Sequence, residues 1–208
     1  QAVARTRERF LIDLPAQTLF EYPTIASLAT HVDSTIRNVD TRLLPPIQPA
    51  DRNQPLQLSF SQERLWLIYQ LQPDNSAYNI PTATRIRGRM NVQALEQAIN
   101  LMIQRHEILR TIFYFDGQRP LQKVIESHTI KIQTSDLRDV PNDQLEAKIT
   151  DLINQEACKA FNLEQLPLLR MHVYLLADDH IILFLNIHHI IIDAWSMNAF
   201  YKELFTIY

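Results

Sequence analysis

Apolar residues recur at helical spacing in several parts of the chain. They predict amphipathic helices behind Pro23, Asn91 and Asn142, where proline suits the first helical turn and asparagine can accept from free backbone N–H groups. Ser59 and Gln62 have the spacing of a capping box, in which each side chain satisfies a backbone N–H of the other residue. This pair predicts a further helix directly after it.

Runs of β-branched and aromatic residues lie between these helices and predict strands. The predicted strands cover residues 110–115, 122–126, 129–134, 168–176 and 180–187. The last two runs are almost wholly apolar and flank a short polar turn, which predicts a hairpin at the centre of a sheet. With a last helix from Trp195 onward, the sequence from Leu58 is predicted to be α+β, with helices on one face of a mixed sheet.

Proline density divides the chain into regions. Residues 35–57 carry several prolines without a periodic apolar pattern, which predicts an extended linker. Residues 1–34 before it predict short helices joined by a loop, and residues 58–208 form the larger, α+β region. We therefore expect two unlike folded parts on either side of a linker.

Composition and charge exclude several classes of partner and site. The 208 residues are 46% apolar, with a formal net charge of −3 and no lysine-arginine block, so neither nucleic acid nor a membrane is an expected partner. Cys158 is the sole cysteine, which excludes a disulfide framework and a cysteine-based metal site and favours a reducing, cytoplasmic setting. The most apolar stretch, 180–192, is too short to span a bilayer. Because the chain begins with Gln1, we expect a piece of a longer protein.

The densest group of polar residues follows the most apolar predicted strand, over residues 186–196. Consecutive strand side chains point to opposite faces, so His188 and His189 should diverge and are not expected to share a metal. An imidazole there can take a proton from an amine or alcohol, or donate to a developing oxyanion, and Asp193 can orient a ring or pair with an arginine. The alternative is structural, in which the histidines end a strand and bond backbone carbonyls.

Other polar residues have structural explanations that are commoner than functional ones. Arg110, with the preceding run 105–107, lies at a predicted helix end, where cations favour the helix dipole. Arg64 and Trp66 could form a binding surface, but an arginine lying over a core tryptophan is the commoner explanation. No phosphate-binding glycine loop, serine triad or carboxylate pair stands out.

Four segments resemble the signature motifs of one family, in order and at familiar spacing. They are residues 58–66 (LSFSQERLW), 78–81 (YNIP), 105–113 (RHEILRTIF) and 188–193 (HHIIID). Together they resemble the N-terminal lobe of non-ribosomal peptide synthetase condensation domains, which have a chloramphenicol acetyltransferase-like fold. Residues 14–29, which include TLFEYPTIASLA, resemble the last part of a peptidyl carrier domain, a small helical bundle.

The resemblance implies amide-bond formation between two carrier-bound thioesters, in which an acceptor amine attacks a donor thioester carbonyl. His189, the second histidine, would face the reacting atoms. It would either accept the amine proton, or position the nucleophile and steady the tetrahedral intermediate, while orientation of the reactants supplies much of the rate. The supporting or structural residues implied are His188, Asp193, Ala194, Trp195, Arg64 and Arg110.

The same resemblance implies a cofactor and partners. The cofactor is 4'-phosphopantetheine on partner carrier domains, and no metal is expected. The carrier serine that bears it is expected to lie before this chain, since neither Ser27 nor Ser34 has the right context. The expected partners are an upstream donor carrier, a downstream acceptor carrier, an adenylation domain and a second condensation lobe. Without that second lobe we expect no activity.

One residue departs from the family pattern, and alternatives stay open. The family has glycine after the aspartate, whereas Ala194 adds a methyl group where the backbone should pass close to the substrate channel. The fold could instead belong to an epimerisation domain, or to a non-catalytic platform that docks carrier domains. A heterocyclisation domain is disfavoured because aspartates would replace the histidines, and a coenzyme A acetyltransferase is disfavoured by the carrier-like segment.

Overall fold

The computed structural model describes residues 2–10, 12, 14–38, 48–52 and 54–208. The chain divides into two compact units, Gln1–Ala50 and Asp51–Tyr208. The division falls inside the segment 35–57 that was predicted to be a linker; residues 39–47 and 53 of that segment lie outside the described residues. None of the helices in the described part of the chain combines the length and apolarity that a bilayer-spanning segment needs.

The first unit contains three helices in its described residues. They are α1 (Ala2–Phe10), α2 (Thr18–Glu21) and α3 (Ile25–Asn38). A small core of Ile12, Leu14 and Val32 holds the unit together. The helix predicted behind Pro23 is confirmed, and it begins where Thr24 and Ser27 exchange side-chain bonds with each other's backbone N–H groups.

The second unit is α+β, as predicted. Its helices are α4 (Phe60–Leu71), α5 (Val92–Arg105), a 3-10 helix (Glu107–Arg110), α6 (Asn142–Ala157) and α7 (Ala194–Ile207). Its strands are β1 (Leu56–Gln57), β2 (Asn79–Arg87), β3 (Thr111–Phe115), β4 (Pro120–Val124), β5 (Gln133–Asp136), β6 (Leu169–Ala177) and β7 (His180–His188).

A four-stranded mixed sheet in the order β2-β7-β6-β5 carries the most buried part of this unit. The neighbours β5 and β6 run parallel, while β6–β7 and β2–β7 are antiparallel. The hairpin of β6 and β7 lies at the centre, which confirms the prediction made from its two apolar runs. A separate antiparallel sheet has the order β1-β4-β3.

Helices cover both faces of the mixed sheet, so the prediction that they lie on one face was wrong. Leu183 and Leu185 of β7 belong to the large core that includes residues of α5 and α7. Ile182 and Phe184, which alternate with them, belong to a second core with Ile149 of α6. The strand is apolar at both odd and even positions because each of its faces packs against helices.

Two of the three predicted caps are confirmed. Asn91 accepts from the Ala94 N–H at 3.1 Å, and Ser59 and Gln62 form the capping box of α4. The third prediction was wrong, because Asn142 is already the first residue of α6 and Pro141 occupies the capping position without a side-chain bond.

The strand predicted over 129–134 was also wrong for most of its length. Side chains of α5 satisfy its backbone instead: Asn100 bonds both the N–H and the C=O of Ile130, and Glu96 accepts from the Ile132 N–H. A strand ladder is therefore not needed before β5 begins at Gln133.

Candidate functional site

The two adjacent histidines at the end of β7 have opposite environments. His188, the last residue of the strand, is 5% exposed, whereas the next residue, His189, is exposed. The His189 N–H donates to the Tyr78 carbonyl at 2.9 Å, which continues the pairing of β7 with β2 past the strand end. The divergence predicted from strand alternation is thus present.

His188 is held by the turn that follows it. Its Nδ1 accepts from the Ile190 N–H at 3.1 Å, and its ring meets the Phe161 ring edge-on, with centroids 6.1 Å apart. Burial, and secondly the nearby His189, lower the pKa of His188 to about 4. The ring is therefore neutral near pH 7, and its neutral Nδ1 lone pair fixes the start of the loop.

Asp193 begins α7 by capping it. Its carboxylate accepts from the Ser196 N–H at 2.8 Å, and hydrogen bonding to Ser196 is the main reason that the pKa of Asp193 lies below its ordinary value. Ala194 and Trp195 follow as the first helical residues, and Trp195 is 72% exposed. The aspartate of the HHIIID run thus ends the loop of residues 189–193, which we call the histidine loop, and starts the next helix.

An open groove of about 490 Å³ contains His189, and we call it the histidine groove. It is lined by Ser59, Ser61, Gln62, Arg64 and Leu65 of the α4 end, by Tyr78 and Ile108, and by residues 189–193 with Ser196. All four of the sequence motifs therefore meet at one surface. Arg64 lies in this groove, while Trp66 is 3% exposed in the core, so the two residues do not share a surface.

Gln62 ties the start of α4 to the histidine loop. Its Oε1 accepts from the Ser59 N–H at 3.0 Å, and its Nε2 donates to the Ile190 carbonyl at 3.3 Å. The capping box was visible in the sequence, but the bond to Ile190 spans 128 positions and has no local signal.

Arg110 bonds backbone carbonyls near the 3-10 helix. Its Nη1 donates to Ile125 O at 2.7 Å and its Nη2 to Gln104 O at 3.5 Å, in the last turn of α5. The second contact is of the kind expected for a cation at a helix C-terminus. Arg105 and His106 instead bond the two carboxylate oxygens of Glu203 in α7.

Three polar side chains from adjacent strands hold the C-terminal end of α6 beside His188. Asn79 of β2, Asn186 of β7 and Arg170 of β6 donate N–H bonds to backbone carbonyls there. The accepting carbonyls are those of Glu156, Ala157, Lys159 and Ala160. The Arg170 guanidinium also lies 3.9 Å above the Phe161 ring that contacts His188. No local pattern in the sequence predicted this arrangement, because its members are brought together only by the sheet.

The described residues hold no group of three or more His, Cys, Asp or Glu side chains placed to bind a metal ion. Cys158, the residue after α6, is a free and exposed thiol.

Comparison with known proteins gives a family match over most of the chain. Residues 52–208 match the family model of the Condensation domain. A linear gramicidin synthase of Brevibacillus parabrevis is 39% identical over 208 residues, which is 100% of this chain and 3% of that protein. Phosphinothricin tripeptide synthetase PhsB of Streptomyces viridochromogenes is 34% identical over 209 residues, 100% of this chain and 18% of that protein. The chain thus spans a small part of these relatives.

Solved structures share the fold. The starter condensation domain of rhizomide synthetase RzmA superposes with a TM-score of 0.68 at 24% identity, covering 74% of this chain and 39% of that one. The four-domain nonribosomal peptide synthetase AB3403 superposes with a TM-score of 0.66 at 23% identity, covering 80% of this chain and 12% of that one.

Proposed function

Because the chain belongs to the condensation-domain family, we propose that it supplies the histidine-bearing lobe of a domain that joins two carrier-bound acyl groups by an amide bond. The observation that carries this proposal is the exposure of His189 in the histidine groove beside a buried, neutral His188. An exposed imidazole on an anchored loop can meet a substrate, whereas a buried one cannot.

The proposed reaction forms a bond between the acceptor amine nitrogen and the carbonyl carbon of the donor thioester, and it breaks the carbon–sulfur bond. The sulfur leaves as a thiol after it takes up a proton. His189 accepts the amine proton, or it positions the amine and steadies the tetrahedral intermediate by hydrogen bonding. Either role requires the ring to be held within reach of the reacting atoms.

The proposed cofactor is 4'-phosphopantetheine on the partner carriers, which supplies the thioester that activates each acyl group. The open histidine groove fits the end of such an arm, since it is reached from solvent and presents polar side chains of Ser61 and Arg64 next to His189. The proposed partners are a donor carrier, an acceptor carrier, an adenylation domain and the second lobe of the same domain.

We further propose that residues 1–34 are the end of a peptidyl carrier domain. The support is the small three-helix unit with its own core, and the fact that the gramicidin synthase relative aligns through this segment as well. The fused segment favours a synthetase over an enzyme that uses free coenzyme A.

The test is product formation by a complete two-lobe domain with two loaded carriers. His189→Ala should leave the fold intact and lower amide formation by on the order of 10² to 10⁴-fold. His180→Ala is the matched control, because His180 begins the same strand at its opposite end and should leave turnover unchanged.

Three results would overturn the assignment. Near-full turnover by His189→Ala would remove its catalytic role, and carrier binding without product in the wild type would favour the docking platform. Exchange of the α-hydrogen for deuterium without amide formation would favour the epimerisation domain.

A further inference from the structure

A second cavity, which we call the side pocket, lies between the 3-10 helix and α7. Its volume is about 280 Å³, and it is mainly apolar. Leu109, Ile191, Ile192 and Phe200 form buried parts of its wall, and the exposed Trp195 lies on its border. A cavity of this size suits a single branched or aromatic side chain rather than a whole cofactor.

The side pocket adjoins the histidine groove. Ile108, Ile191, Ile192 and Ser196 line both cavities, and the two isoleucines of the loop follow His189 by two and three positions. A group attached to a carbon atom that reacts beside His189 therefore lies close to the wall that the two cavities share.

The charge on the pocket wall is already compensated. Glu203 lines the pocket, and its two carboxylate oxygens are bonded by Arg105 Nη1 at 2.8 Å and His106 Nε2 at 2.7 Å. A charged guest would lose its hydration without finding a free partner of opposite charge in Glu203. An apolar guest loses no hydrogen bonds and buries its surface.

We propose that the side pocket receives the apolar side chain of one of the two residues being joined, and so favours substrates with large aliphatic or aromatic side chains. This inference rests on the proposed function. Either the donor residue or the acceptor residue can carry such a side chain, and the experiment below distinguishes which of the two the side pocket binds.

The test uses the complete domain with carriers loaded with alanine or phenylalanine, in the pairs Ala–Ala, Phe–Ala and Ala–Phe. Ala199→Leu fills the pocket from α7, since Ala199 lies on its wall and is otherwise exposed. Asn198→Leu is the matched control, because Asn198 is the exposed neighbour on the same helix and lies outside the pocket wall.

Ala199→Leu should lower the rate with one phenylalanine pair by on the order of 10-fold or more, and leave Ala–Ala within about twofold, because hydrophobic pockets discriminate size by this much. The pair that slows identifies the donor or the acceptor as the residue bound. Asn198→Leu should slow none of the pairs.

The proposal is overturned if Ala199→Leu slows all pairs equally, or slows none. A failure of the underlying function looks different: the wild type would then form no amide with any pair, or His189→Ala would match the wild type. Either result overturns this proposal as well.

Discussion

The low pKa of the buried His188 predicts that the protein loses stability as the pH falls. Its pKa is lowered from 6.5 to about 4 because the ring is buried and lies near His189. In the unfolded chain the imidazole regains its ordinary pKa, so between these two values the unfolded state binds more protons than the folded state. The contribution of His188 to stability is therefore complete above about pH 6.5 and declines as the pH falls toward 4.

The magnitude follows from the difference in pKa. At about 1.4 kcal/mol for each tenfold difference in proton affinity, the titration of His188 alone lowers the free energy of unfolding by about 3 kcal/mol between about pH 7 and pH 4. This is a large share of the stability of an ordinary domain, which is about 5–15 kcal/mol. Below pH 4 the folded state also binds the proton, and the loss stops growing.

The assay compares urea unfolding of the wild type and of His188→Asn, in the complete domain, between about pH 4 and pH 7. The asparagine Oδ1 can replace Nδ1 as the acceptor for the Ile190 N–H, but it does not titrate. Any cost of the smaller side chain is the same at each pH, so the difference between the two proteins isolates His188.

The wild type should lose about 3 kcal/mol more than His188→Asn over this range. A parallel decline of both proteins would refute the reasoning, and so would a ring titration followed by NMR that places the pKa of His188 at its ordinary value or above. Other groups that titrate here, such as His128 and His172 with their lowered pKa values, are common to both proteins and cancel.

Two further predictions concern the residues around the histidine loop. Asp193→Ala should lower the melting temperature because α7 loses its cap, whereas Asp193→Asn should retain most of the stability, since asparagine also caps well; equal melting temperatures would contradict this. Asn186→Leu should lower the free energy of unfolding by about 1–3 kcal/mol, because the fully buried amide donates to carbonyls at the end of α6. Asn186→Asp should lower the free energy of unfolding further, since a carboxylate would face those carbonyls. Urea unfolding measures both Asn186 variants, and an Asn186→Asp variant as stable as the wild type would show that the amide is not needed.

The sequence predicted best where one local pattern decides the structure. The capping box of Ser59 and Gln62, the cap at Asn91 and the central β6–β7 hairpin each depend on neighbouring residues. The HHIIID run also showed where the histidines would diverge, because alternation along a strand is local.

The sequence predicted least where distant parts compete for the same backbone groups. Side chains of α5 bind the backbone of Ile130 and Ile132, which replaces the expected strand. Strand β2 was missed because it is an edge strand that contains Pro81 and several polar residues, so it lacks a regular apolar alternation. The helices on both faces were missed although β7 is apolar at successive positions, which is the pattern of a strand buried on both sides.

The position of His189 is set mainly by its neighbours rather than by contacts of its own ring. Its backbone N–H donates to the Tyr78 carbonyl. The loop after it is fixed by two bonds of Ile190, whose N–H donates to His188 Nδ1 and whose carbonyl accepts from Gln62 Nε2. The ring nitrogen that moves a proton cannot at the same time be held in a structural bond. Burying His188 as a neutral acceptor supplies the structural bond, and a single step along the chain leaves the next ring exposed for the role proposed for it. A change that loosens the loop, such as the loss of Gln62, should therefore disturb turnover through the placement of His189, since small displacements of a reacting group are costly.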